Sequence, residues 1–90
     1  MTEELQKTLP KLYDTENTRT SKTIVHLRYY EINSGWEWFL TEYEPDTKTA
    51  FGYVKGFEKE WGYFSLEEME QIATIVRDEK FVPIKFGELK

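Results

Sequence analysis

The sequence has no cysteine and only one histidine, His26. Disulfides, thiolate catalysis and the usual Cys/His zinc sites are therefore excluded, and the chain is compatible with a reducing cytoplasm. His26 alternates with Ile24 and Arg28 in an apolar stretch, and no Ser or Asp completes a recognisable catalytic triad with it. We expect it to face solvent on a strand.

Long apolar runs and nucleotide- or metal-binding motifs are missing as well. No run approaches the ~20 residues that span a bilayer, and the first ten residues lack the apolar core of a signal peptide. No glycine-rich phosphate loop or calcium-binding loop is present. We expect a cytoplasmic protein with no membrane segment and no cofactor.

Positive charges are outnumbered by negative ones. The chain carries 12 Lys and Arg against 17 Asp and Glu, for a net charge of −5, and the cations form no cluster. A phosphate backbone is bound by several cations on one face, so we do not expect direct binding to nucleic acid.

Aromatic residues are abundant instead. They make up 17% of the sequence, and twelve of the fifteen lie between Tyr29 and Phe64. Ninety residues fit one domain, which we divide into an N-terminal segment and loop (1–22), a sheet (23–64), a helix (65–77) and a C-terminal extended segment (78–90). Within the first segment, residues 3–8 suit a short helix that ends before Pro10.

The central region has the pattern of an antiparallel meander. β-branched and aromatic residues favour strands, and clusters of Asn, Ser, Gly, Pro and Asp favour turns. The strands are predicted over Thr23–Glu31, Trp36–Tyr43, Thr49–Gly56 and Trp61–Phe64, with turns at 33–35 and 44–48. Strict alternation places Trp36, Trp38 and Leu40 on one face of the second strand, and Phe39 and Tyr43 on the other.

A helix start is encoded at Ser65-Leu66-Glu67-Glu68, which has the form of a capping box. An apolar stripe at spacings of three and four continues from Leu66 to Val76. The sequence therefore predicts an α+β fold: a small antiparallel β-meander of about four strands, with one C-terminal amphipathic helix packed on one face.

One helix can cover only one face of the sheet, yet both faces of the second and third strands carry aromatics. The remaining aromatics must be exposed, be covered by the N-terminal segment or form an interface. We therefore expect a non-enzymatic module that binds a protein partner, as a monomer or a small homo-oligomer. The proposed contact residues are Trp36, Trp38, Glu42 and Tyr53.

Two other functions stay open. One is a metal-dependent nuclease acting on single-stranded DNA, with Glu42, Asp46 and Glu60 as its carboxylates. The other is an acidic mimic of DNA that inhibits a host defence protein, which requires carboxylates at phosphate-like spacing.

Four blocks of the sequence, in order, carry a family resemblance: Leu9–Glu16 (LPKLYDTE), Trp36–Tyr43 (WEWFLTEY), Phe51–Val54 (FGYV) and Glu60–Leu66 (EWGYFSL). Together they resemble a domain-of-unknown-function family of small bacterial, plasmid, conjugative-element and phage proteins, over roughly residues 9 to 75. The resemblance implies an accessory protein of a mobile element. It implies no established activity or catalytic residue, although some members carry a single-stranded-DNA endonuclease label.

Overall fold

The chain is built mainly from antiparallel strands. The computed structural model describes residues 3–12 and 20–89. The strands in this part of the chain are β1 (Ile24–Val25), β2 (Leu27–Glu31), β3 (Glu37–Glu44), β4 (Thr49–Lys55), β5 (Lys59–Ser65), β6 (Ile75–Arg77) and β7 (Ile84–Lys85). Strands β2 to β6 form one sheet in the order β5-β4-β3-β2-β6, whereas β1 pairs with β7. The described helices are α1 (Glu3–Thr8) and α2 (Leu66–Glu70), with 3₁₀ turns at Thr20–Lys22 and Phe86–Glu88.

The hairpins that the sequence predicts are in place. Strands β2, β3, β4 and β5 are consecutive neighbours, and the turn after β2 uses Gly35 at a φ of 77°, where glycine is favoured. Helix α1 ends before Pro10, as predicted. Of the predicted N-terminal segment and loop (1–22), residues 1–2 and 13–19 lie outside the described residues.

The first predicted strand is interrupted at His26, which separates β1 from β2. The backbone N–H of His26 donates to the carbonyl of Leu40 at 2.9 Å. The side chain is half-buried rather than solvent-facing, and this burial lowers the pKa of the imidazole.

The predicted α+β class is wrong, because the long C-terminal helix over residues 65–77 does not form. Helix α2 ends at Glu70, and Ile75–Arg77 is the strand β6, paired with β2. Thr74, Ile75 and Val76 are β-branched and favour strands over helices. The edge of β2 also presents backbone N–H and C=O groups that a strand can satisfy and a helix cannot.

The start of the helix is as predicted: the N–H of Glu68 donates to Ser65 Oγ at 3.2 Å. Among the described residues, no helix has the length and apolarity needed to cross a membrane.

A β-bulge at Thr41 changes which side chains face the core. The register between β3 and β4 shifts between Leu40 and Glu42, so Thr41 is an extra residue on β3. Its buried hydroxyl donates to the carbonyl of Phe51 at 3.1 Å. The extra residue moves Tyr43 onto the face of Leu40, where it joins the core, so the predicted placement of Tyr43 beside Phe39 is wrong.

One face of the sheet carries the hydrophobic core, and we call it the core face. Leu66 and Met69 of α2 and Leu9 after α1 cover it. The sheet contributes Leu27, Tyr29, Leu40, Tyr43 and Ala50, and Trp38, Phe64 and Ile75 pack against them at partly buried positions. Because α2 has only five residues, the described helices do not cover the core face along its whole length.

The opposite face is covered by the C-terminal segment 78–89, which we call the strap, and we call this face the strap face. Phe86 contacts Tyr53 and Trp61, with ring centroids 4.8 Å apart in both cases. Phe81 lies 6.3 Å from Phe39. The strap is therefore what buries many of the aromatics that a single helix could not cover.

Candidate functional site

Two turns lie side by side at one end of the sheet, which we call the tip. The β2–β3 turn (32–36) and the β4–β5 turn (56–58) meet there because the four strands form an antiparallel meander. Ile32 in the first turn is 59% exposed, and Phe57 in the second is 95% exposed. Turns are normally polar, so two exposed apolar side chains in adjacent turns are a departure from the usual pattern.

Trp36 lies at the tip, between the backbone of the β2–β3 turn and that of the β4–β5 turn. Its carbonyl accepts from the N–H of Glu31 at 2.9 Å, and the neighbouring Gly56 donates to Glu58 at 3.1 Å. A Cβ added to Gly56 would lie 2.4 Å from the indole of Trp36. The indole therefore lies directly over Gly56, and a side chain at this position would require the indole to move.

Three aromatic rings meet at this point. The centroids of Trp36 and Phe57 are 5.2 Å apart, with the ring planes at 84°. The centroids of Trp36 and Trp38 are 6.0 Å apart, with the planes tilted by 37°. Such edge-on and tilted contacts are favourable for aromatic pairs. They leave most of the Phe57 ring in solvent, since that side chain is almost fully exposed.

A row of cross-strand partners extends from Trp38 toward the edge of the sheet. Trp38 pairs with Val54, and Val54 pairs with Glu60. Cross-strand partners point to the same face, so all three side chains lie on the core face. Val54 is half-buried and Glu60 is exposed, which shows that the core face is open here.

We call Trp36, Trp38, Val54, Phe57, Glu58 and Glu60 the tip patch. Its aromatic residues are Trp38 on β3, Trp36 in the β2–β3 turn and Phe57 in the β4–β5 turn. Its carboxylates belong to the β4–β5 hairpin, whose Lys55 and Lys59 pair with each other on the strap face. Glu58 and Glu60 are exposed, and within the described part of the chain neither forms an ion pair. The patch is therefore apolar at its centre and negative along one rim.

The four contact residues proposed from the sequence are divided between the two faces. Trp36 and Trp38 lie together in the tip patch. Tyr53 pairs with Phe39 on the strap face and lies against Phe86. Glu42 is only 4% exposed and pairs with Phe51, next to the bulge.

The carboxylates proposed for a nuclease do not share one site. Glu42 is buried beside the bulge, Asp46 lies in the β3–β4 turn at the end of the sheet away from the tip, and Glu60 lies in the tip patch. Among residues 3–12 and 20–89, no group of three or more His, Asp or Glu side chains is placed to hold a metal ion.

A cavity lies at the other end of the core face. It has a volume of about 410 Å³ and lies beside the N-terminal segment, lined by Gln6, Lys7, Leu9, Lys11, Tyr43 and Pro45. Burial raises the pKa of Tyr43, and the charges of Glu70, Glu44 and Glu67 act in the same direction. Leu9, Tyr43 and Pro45 supply the apolar part of the lining, and Gln6, Lys7 and Lys11 supply the polar part.

Sequence reasoning missed Phe57, Val54 and the position of Glu60 in the patch. Phe57 stands between the predicted third and fourth strands, and an aromatic residue in such a connection is a signal that could have identified it. The row of Trp38, Val54 and Glu60 depends on the register of the strands, which cannot be read from the sequence alone.

Comparison of the chain with protein-family models, with curated proteins and with solved structures found no match.

Proposed function

We propose that this chain is a non-enzymatic protein-binding module, acting in the cytoplasm as an accessory protein of a mobile element, and that it binds its partner through the tip patch. The observation that carries the proposal is the exposure of Phe57, 95%, in contact with Trp36. Large exposed apolar side chains that form a continuous patch are characteristic of interaction sites. Tryptophan is also among the residues that most often dominate binding energy.

The mobile-element setting is supported by the sequence blocks between residues 9 and 75. The choice of a protein partner is supported by charge. Glu58 and Glu60 at the rim would repel a phosphate backbone, whereas they suit a partner with a neutral or basic surface.

Of the contact residues proposed from the sequence, this proposal uses Trp36 and Trp38. Glu42 is buried and Tyr53 lies against Phe86 of the strap, so neither side chain is part of the tip patch. Phe57, Glu58 and Glu60 take their place.

The proposal is tested by affinity purification from the bacterium that carries the gene. Tagged wild type, Phe57→Ser and the control Val82→Ser are compared by mass spectrometry. Val82 is 73% exposed but lies in the strap, so its substitution removes an exposed apolar side chain outside the patch. We expect a protein that is recovered with the wild type and with Val82→Ser but not with Phe57→Ser.

Recovery of the same proteins with all three chains would overturn the proposal, and so would recovery of none above background. Thermal unfolding of each variant shows that the comparison is between folded proteins. Both positions are exposed, so the expected change in stability is within about 0.5 kcal/mol.

A further inference from the structure

We infer that the tip patch recognises an arginine side chain presented by the partner protein next to an apolar residue. The inference rests on the proposed function and names the chemistry of its ligand. It is drawn from the row in which Trp38, Val54 and Glu60 are successive cross-strand partners on one face.

The spacing of this row suits a guanidinium group. Neighbouring strands are about 4.8 Å apart, so Trp38 and Glu60 stand about 10 Å apart at their Cα atoms, with Val54 between them. A flat group lying over Val54 contacts the indole on one side and reaches the carboxylate on the other. A cation within about 6 Å of an indole centroid is attracted to the ring.

Charge complementarity selects a cation for this position. Glu60 is exposed, and Glu58 is exposed beside it in the turn. Within the described residues neither is neutralised by an ion pair, whereas Glu37 on the other face is bonded to both Arg28 and Lys55. The rim of the tip patch thus offers an incoming positive charge two carboxylates that form no ion pair with the described residues.

Arginine fits better than lysine for geometric reasons. Its guanidinium is planar, stacks on an aromatic face and donates two parallel hydrogen bonds to a carboxylate, whereas an ammonium group is compact and strongly hydrated. The neighbouring rings of Trp36 and Phe57 offer apolar contact for the residue beside the arginine.

The test uses a blocked nonapeptide with one central arginine flanked by two leucines in a glycine and serine frame. Two further peptides carry lysine or neutral citrulline in place of the arginine. Binding is followed by the NMR signals of the three indole N–H groups during titration. Trp61 is an internal reference, since it lies on the strap face against Phe86.

We expect the arginine peptide to shift the signals of Trp36 and Trp38 and to leave that of Trp61 in place. The lysine peptide should bind more weakly, and the citrulline peptide at least fivefold more weakly than arginine. In Glu60→Gln the arginine and citrulline peptides should bind about equally. The control Glu88→Gln removes the same charge from the strap and should preserve the preference for arginine.

Equal binding of the arginine and citrulline peptides by the wild type would overturn the inference. So would an equal loss of the preference for arginine in Glu88→Gln and Glu60→Gln. A shift of the Trp61 signal without a shift of the Trp36 and Trp38 signals would overturn it as well. If the peptides fail while partner capture still depends on Phe57, the arginine chemistry is wrong and protein binding stands. If partner capture does not depend on Phe57, the proposed function is wrong whatever the peptides do.

Discussion

Gly52 and Gly62 face each other across β4 and β5, but only Gly52 has no room for a side chain. A Cβ on Gly52 would lie 1.9 Å from the carbonyl oxygen of Phe39, which belongs to the backbone of β3. A Cβ on Gly62 would meet nothing within 4 Å. The difference arises next to the bulge, since Gly52 pairs with Leu40, the last residue before the register shift.

Replacement of Gly52 by alanine should therefore destabilise the fold strongly. The methyl group can be accommodated only if β3 moves away from β4, which disturbs the central pairing of the sheet. We expect Gly52→Ala to lower the free energy of unfolding by about 3 kcal/mol, measured by urea denaturation with the tryptophan fluorescence as the signal.

Gly62→Ala is the matched control for this prediction. It makes the same chemical change one strand away, where there is space, and it reduces the entropy of the unfolded chain. Its free energy of unfolding should lie within about 1 kcal/mol of the wild type. Equal losses for the two variants would show that the close contact with Phe39 is not the cause.

The Ser65 cap contributes to stability without contributing to binding. Ser65→Ala removes the acceptor for the N–H of Glu68, and we expect the free energy of unfolding to fall by about 1 kcal/mol. Ser65→Asp retains an acceptor and should recover most of the loss. Any loss of partner binding in a folded Ser65→Ala protein would contradict the purely structural role that we give this residue.

Phe86 should help to hold the strap on the sheet, because that ring contacts both Tyr53 and Trp61. Phe86 is half-buried, so Phe86→Ala should cost less than the 3–5 kcal/mol of a fully buried phenylalanine, about 2 kcal/mol. The indole N–H of Trp61 should shift in the NMR spectrum, while those of Trp36 and Trp38 stay in place.

Val82→Ala is the control in the same segment. Val82 is largely exposed, so its truncation should change stability by no more than about 0.5 kcal/mol. If the two variants are equally stable, Phe86 does not hold the strap on the sheet.

The sequence predicts local features of this fold better than its class. The meander, the turn at Gly35 and the cap at Ser65 are set by neighbouring residues, and each is found. The segment Thr74–Arg77 fits two local patterns. The spacing of its apolar residues predicts a helix, whereas its β-branched residues predict a strand. The free edge of β2 decides between them, and that edge exists only after the sheet has formed.

The candidate site shows the same division. The excess of aromatics predicts that some of them face outward, and Trp36 and Trp38 are among those that the sequence selects. The bulge at Thr41 and the strap at Phe86 decide which of the others are covered. Both are long-range effects, because one depends on strand register and the other on Phe86, which is more than thirty residues from Tyr53 along the chain.

A final prediction concerns Glu31, whose carboxylate closes the β2–β3 turn next to Trp36. A hydrogen bond from the side chain of Thr74, together with backbone donors in the turn, lowers the pKa of Glu31 from 4.5 to about 2. The N–H groups of Asn33 and Ser34 donate to this carboxylate at 2.7 and 2.6 Å. The ionised carboxylate therefore stabilises the folded chain at neutral pH.

Because the pKa of Glu31 is lower in the folded chain, its contribution is complete above pH 4.5 and is lost as the pH falls toward 2. We expect the thermal midpoint of the wild type to exceed that of Glu31→Gln at pH 7, and the gap to narrow steadily between pH 4.5 and 2. The control Glu88→Gln removes an exposed carboxylate with no side-chain hydrogen bond to a described residue. The difference in thermal midpoint between this variant and the wild type should not narrow between pH 4.5 and 2. A gap for Glu31→Gln that is unchanged at pH 2.5 would show that the charge of Glu31 does not hold the turn.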